Sequence, residues 1–315
     1  MTRISSDHTV HKNQCHFGWD NTLEPVLKIA PGETVTFDVI DAGGGQVFPD
    51  SKKEDLARFD FGRVNPAFGP VFVDGARPGD ALRVEILDVA VEGWGWTANI
   101  PGFGLLADRF DQPALHIWKF DAKTLSPAAY GPGGRVPLKP FPGIIGVAPA
   151  AAGVHGAVTP TQAGGNMDTR DLSAGAKLLL PVEVPGALFS VGDGHAAQGD
   201  GEVCGTAIEC PLQITLKFDL VKGAGLRFPR FTTPGPVSRH LDSKGYEVTM
   251  AVGPDLMASA KNAVSDMVDL IATQHGMKPV EAYMLCSVCA DLRISEIVDM
   301  PHWVVSYYFP KVVFD

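Results

Sequence analysis

The chain has no apolar run long enough to cross a membrane as a helix. Its longest, Gly143–Val154 (GIIGVAPAAAGV), falls well short of the ~20 residues such a span needs. The segment Met1–Asp20 is polar and His-rich with no apolar stretch, so no secretory leader is expected there and the expectation is a cytoplasmic protein. Basic clusters are missing too. The 26 Lys and Arg are scattered and outweighed by 36 Asp and Glu, which argues against nucleic acid and anionic membranes as partners. Cysteine is scarce and odd in number, five in 315 residues, which excludes a disulfide framework. Gly-x-Ser-x-Gly, Walker-type phosphate loops and a dinucleotide fingerprint are absent as well.

Glycine and proline are abundant, at 35 and 25 residues. Together they exceed the usual share of roughly 12%. Without a collagen-like period, the excess points to many tight turns. Apolar residues make up 45%, enough for a sizeable core.

Strand grammar dominates the first two-thirds. A turn at Ala30-Pro31-Gly32-Glu33 opens Thr34–Ile40, Arg77-Pro78-Gly79-Asp80 opens Ala81–Leu87, and Asp171–Val182 has the same shape. This recurrence reads either as a weak internal duplication or as common hairpin grammar. Further strands are expected at Gln213–Leu220, Tyr246–Val252 and His302–Tyr308. Asp255–His275 carries Leu256, Ala260, Ala263, Val264, Met267, Val268 and Ile271 at steps of three and four, one face of an α-helix, with Gly276 placed to end it. Pro279 is placed to open a second helix running to about Ala290. The expectation is a single α+β, β-rich domain over residues 1–315: sandwich- or barrel-like sheets in 1–252, a helical pair in 255–290 and a closing strand at 302–309. The Gly-, Pro- and Ala-rich stretch Gly131–Gly165 reads as a long, ordered loop.

The densest chemistry lies in Val191–Glu209 (VGDGHAAQGDGEVCGTAIE). Asp193 and His195 are two apart, so an extended chain turns both to one side. The intervening glycines permit turns that return Asp200 and Glu202 toward the same point. Imidazole with carboxylates is a ligand set for a divalent metal, zinc first and calcium second. The competing reading is a polar surface loop; the small or apolar flanks Leu188–Val191 and Cys204–Ile208 argue instead for a loop that enters the fold. Gly164–Asp168 (GGNMD) offers Asn166 and Asp168, or else an Asx-turn. His16, Asp20 and Asp41 are weaker candidates. Cys286 and Cys289 read as buried helix cysteines, whereas Cys204 could serve as a nucleophile.

Gly18-Trp19-Asp20, Asn65–Pro70, Gly75–Asp80, Pro101–Gly104, Gly143–Pro149, Gly164–Asp168 and Gly192–Glu209, with Glu281–Asp299 near the end, together resemble the acetamidase/formamidase family, in the family's order and over most of the chain. One departure is Cys15, where the resemblance leads us to expect a second histidine beside His16. The resemblance implies a β-rich fold, hydrolysis of a small aliphatic amide of the formamide or acetamide class with release of ammonia, a divalent metal, and a homo-oligomer, taken as a dimer. On this hypothesis Asp193, His195, Glu209 and Asp168 hold the metal, Glu202 and Asp200 are the catalytic carboxylates with Glu202 as general base, and Asn166 or Gln198 binds the substrate amide. A tight apolar pocket is expected, with Trp94, Trp96 and Phe103 as candidate walls. Hydrolysis of another C–N bond, in a larger amide, a carbamate or a urea-like compound, and a non-catalytic small-molecule-binding β protein are the alternatives.

Overall fold

The computed structural model describes residues 5–314. Two six-stranded sheets face each other. The first runs His8–Val10, Thr34–Val39, Leu212–Val221, Ala81–Val91, Lys177–Pro181, Arg230–Thr232 in spatial order. The second runs Gly164–Asn166, Phe141–Val147, Phe189–His195, Ala67–Val73, Cys15–His16, with Leu27–Ile29 added alongside Ala67–Val73. Phe37 and Phe218 of the first sheet meet Phe189 of the second at ring separations of 5.9 and 4.9 Å. All three rings are fully buried and sit where two apolar faces must close on each other.

The Pro-Gly turns open strands as their chemistry dictates. Gly79 takes a φ of 92° before Ala81–Val91, which continues past the expected end at Leu87 because Leu212–Val221 pairs with it along its length. The largest difference from expectation lies in the Gly131–Gly165 stretch. Phe141–Val147 is a strand at the heart of the second sheet, buried at every residue and flanked by Phe189–His195 and Gly164–Asn166. A strand covered on both faces shows no polar alternation, so in the sequence its apolar run is indistinguishable from a packed loop.

The C-terminal part is a three-stranded sheet, Tyr246–Gly253, Trp303–Pro310 and Asp291–Glu296. It is covered by α1 (Leu256–His275) and followed inward by α2 (Pro279–Cys289). Asp255 caps α1 by accepting from the Ala258 N–H, and Gly276 ends it in the left-handed conformation. The apolar face Ala260, Ala263, Val264, Met267, Val268 and Ile271 is buried. α2 carries the buried Cys286 and Cys289, both free thiols. One apolar cluster runs through both large sheets, α1, α2 and the closing strand. Among the described residues, no helix is long and apolar enough to cross a membrane.

Candidate active site

Strand Phe189–His195 leaves the second sheet carrying Asp193 and His195 inward, both buried. The chain then makes an excursion and folds back on itself. Ala196 and Ile208 are joined by a backbone hydrogen bond of 2.9 Å, and Glu209 arrives opposite His195 as an isolated bridge. Glu209 also exchanges two backbone hydrogen bonds with Trp96, at 2.9 and 2.8 Å, so it is clamped between two strands. α2 holds the tip of the excursion: the Gly199 N–H donates to the Ser287 carbonyl, and the Cys204 N–H donates to Ser287 Oγ. Gly199 packs so closely that a Cβ there would lie 1.9 Å from the Ala290 carbonyl oxygen. That tip delivers Glu202.

His195 is the centre of the cluster. Its Nε2 lies 3.1 Å from Asp193 Oδ1, 3.1 Å from Glu209 Oε2 and 3.9 Å from Glu202 Oε1. Only the Asp193 contact has hydrogen-bond geometry; Glu209 Oε2 is within ion-pair distance without forming one. Asp168 enters from the neighbouring Gly164–Asn166 strand, oriented by Asn166 Nδ2, which donates to its Oδ2 at 3.0 Å. Phe141 stacks edge-on to the imidazole at 5.0 Å. The space at the centre depends on Gly143: a Cβ there would come within 2.4 Å of Asp193 Oδ2 and 2.6 Å of Asp168 Oδ1.

Four carboxyls crowd around one imidazole, and burial together with their mutual repulsion favours the protonated form of each carboxyl. Burial and then the Asp193 charge push Asp168 up to about 8. Burial raises Glu209 to about 7 against the pull of His195. Glu202 is raised well above the carboxylate range, by burial first and the Asp168 charge second. Burial pulls the imidazole of His195 down, but Glu209 and Asp193 together outweigh it and hold its pKa well above the usual value. Asp168 Oδ1, Glu209 Oε2 and His195 Nδ1 are buried without a hydrogen-bond partner. Two trios, Asp168–Asp193–His195 and His195–Glu202–Glu209, place their donor atoms within 4.8 Å of one another. Unmatched buried polar atoms and converging ligand atoms fit a divalent cation, which would also relieve the repulsion among the carboxyls.

The cluster forms the floor of a cavity of about 140 Å³. Asp193, Glu202 and Glu209 reach into it beside Asn65 and Asn166, under walls that include Phe59, Phe61, Trp96, Ile100 and Phe103.

Other sequence candidates lie elsewhere. Asp200 points away: it is exposed and pairs with Arg170 at 3.2 Å. The backbone turns between it and Glu202, whose φ is 42°, so the two neighbours part. Gln198 donates to the Asp168 carbonyl at 2.8 Å and lines a different, smaller cavity beside His240. Trp94 lies outside the pocket lining while Trp96 and Phe103 are in it. His16 bonds the Gly18 carbonyl and Ser190 Oγ, Asp20 holds Thr22, and Asp41 accepts from Trp96 Nε1 at 3.0 Å behind the pocket wall. Cys204 is buried, hydrogen-bonded to backbone carbonyls and raised to about 11 by burial, which suits a packed thiol and not a nucleophile. Missed by sequence reasoning were Gly143, Asn65, Phe59, Phe61 and Val158, which meet the cluster only through long-range packing.

A family model described as the acetamidase/formamidase family matches residues 3–155 and 150–315. The formamidase of Methylophilus methylotrophus is 26% identical, covering 96% of this chain and 90% of that protein. Among solved structures, a γ-lactamase from Delftia acidovorans superposes with a TM-score of 0.90 at 25% identity, over 98% of this chain and 93% of its own. An acetamidase from Bacillus halodurans superposes with a TM-score of 0.68 at 33% identity, over 97% and 98%.

Proposed function

This chain belongs to the acetamidase/formamidase family, and on that premise we propose that it is an amidase, hydrolysing a small amide to a carboxylate and ammonia. The observation that carries the reading is the meeting of Glu202 with the buried Asp193–His195–Glu209 cluster at the floor of one apolar pocket.

Amide resonance weakens the carbonyl as an electrophile, and an amide anion is a poor leaving group. A site must therefore activate water, steady the oxyanion and protonate the nitrogen. Glu202 is placed for the proton transfers: it faces the cavity with 17% of its side chain exposed. Its raised pKa makes it a stronger base than a free carboxylate when ionised and leaves more of it protonated, with a proton to give. As water adds to the carbonyl carbon, Glu202 takes its proton. As the C–N bond breaks, the same carboxyl passes that proton to the departing nitrogen. Asn166 Oδ1, which accepts one hydrogen bond from Asn65, keeps a lone pair for a substrate N–H.

Asp168, Asp193, His195 and Glu209 form the donor set we assign to a divalent cation, zinc before calcium. When bound, such an ion would polarise the amide carbonyl and lower the pKa of water.

The likeness to a γ-lactamase favours a second reading of the same chemistry, the opening of a cyclic amide to an amino acid without release of ammonia. Five free cysteines accord with a reducing, cytoplasmic setting. The exposed row Val248, Met250 and Val252 on an edge strand supports a homodimer.

The test is ammonia release from formamide, acetamide, propionamide and urea, and formation of the ring-opened amino acid from a γ-lactam, before and after chelation, with metal content measured on the same sample. Metal-dependent release from an open-chain amide supports the first reading, and release from the lactam alone supports the second. Turnover that survives complete metal removal refutes the metal assignment.

A further inference from the structure

The pocket above the acidic floor is larger and greasier than formamide or acetamide requires. Its volume of about 140 Å³ is close to that of an apolar cavity known to hold a benzene ring, roughly 150 Å³. Its walls are an aromatic series leading inward from solvent. Phe61 meets Phe59 edge to face at 5.5 Å, and Phe59 meets the buried Trp96 the same way at 6.2 Å. On the other side, Phe103 lies against Gly205, where a Cβ would stand 2.4 Å from the ring, so the absence of a side chain there seats the aromatic.

The outer members are exposed: Phe61 by 60%, Phe103 and Val158 by 42% each. Scattered exposed apolar residues are ordinary, but three gathered around the mouth of one cavity mark a surface waiting to be covered. Charge narrows the occupant further. Among the described residues, the ionisable ones lining the cavity are Asp193, Glu202 and Glu209, all acidic, with no Lys, Arg or His. The walls therefore offer an anionic substrate side chain no cationic partner.

We propose that the preferred substrates are amides bearing a compact, neutral, apolar body about the size of a benzene ring, held between Phe61 and Phe103, and not formamide or acetamide. The proposal rests on the amidase reading above. Each methylene well placed in an apolar pocket contributes about 10- to 200-fold in kcat/KM, so a whole ring should be strongly favoured over a hydrogen or a methyl.

The experiment compares kcat/KM for formamide, acetamide, benzamide and cyclohexanecarboxamide on the purified, metal-replete protein, with succinamate as an anionic control. The expected result is a preference of about 10²-fold or more for the two ring amides over formamide, with succinamate poorest of the larger amides. Phe61→Ala and Phe103→Ala should each shrink the benzamide-to-formamide ratio at least about tenfold, the value of about one methylene. Equal or better turnover of formamide, or variants that lower both substrates alike, would overturn the proposal while leaving the amidase reading intact. Release from none of these amides by the folded protein would overturn the amidase reading and this proposal together.

Discussion

His195 Nε2 stands 3.1 Å from Glu209 Oε2 although the whole Ala196–Ile208 excursion separates them in the chain. The hydrogen bond from that nitrogen goes to Asp193, so Glu209 keeps an unmatched, buried oxygen. The site is thus a set of acceptors awaiting a positive partner, and several outcomes depend on it.

Gly143→Ala should abolish most activity. The new methyl would press within 2.4 Å of Asp193 and 2.6 Å of Asp168, and displacing reacting groups by about an ångström costs about 10²-fold. The strand is already fully buried, so circular dichroism and the melting temperature report whether the fold survives. Wild-type turnover in a folded variant would show that the centre is not where the chemistry happens.

Glu202→Gln should lower kcat by about 10²- to 10⁴-fold, the usual share of a general acid–base group, with a much smaller change in KM. Asp200→Asn, at the exposed partner of Arg170, should leave kcat nearly unchanged. Steady-state kinetics on the pair decides which carboxylate works; the reverse result would reassign the role to Asp200.

Asp193→Ala combined with His195→Ala should strip the protein of divalent metal, as measured by atomic absorption. Chelation of the wild type should also lower its melting temperature, because buried carboxylates left facing one another repel. Stoichiometric metal retained by the double variant would overturn the ligand assignment.

Stability should also respond to His240. Burial first, then the charges of Lys139 and Arg170, lower its pKa to about 4 against the pull of Asp291 and Asp171. In the unfolded chain it takes up a proton near 6.5, so the folded state is disfavoured as pH falls from that value toward 4, and no further below it. Urea unfolding of the wild type should therefore weaken more than that of His240→Gln between pH 7 and 4. Parallel curves would show that His240 titrates normally in the fold.

Much of this architecture was legible. The three-to-four spacing of Ala260, Val264, Met267 and Ile271 identified α1 because one side of that helix packs and the other meets water. The acid-and-glycine density of Gly192–Glu209 pointed to the buried Asp193–His195–Glu209 cluster, because polar groups flanked by apolar chain must be carried inward together. Three features stayed hidden, each for a physical reason. Phe141–Val147 is covered on both faces and so carries no alternating signal. Phe59 and Phe61 reach the pocket from a pair of short 3₁₀ turns, a placement set by distant packing. Asp200 and Glu202 look equivalent two residues apart, yet two consecutive positive-φ residues, Gly201 and Glu202, turn them to opposite sides.

That left-handed backbone is shared. Asn65, Asp168, Asp193 and Glu202 all have φ between 42° and 56°, a conformation that Asn and Asp tolerate but that disfavours a glutamate by roughly 1–2 kcal/mol. Replacing Glu202 with glycine would relax the chain while deleting a working group. A library selected only for heat resistance should therefore accumulate glycine at position 202, and its most durable members would be inert.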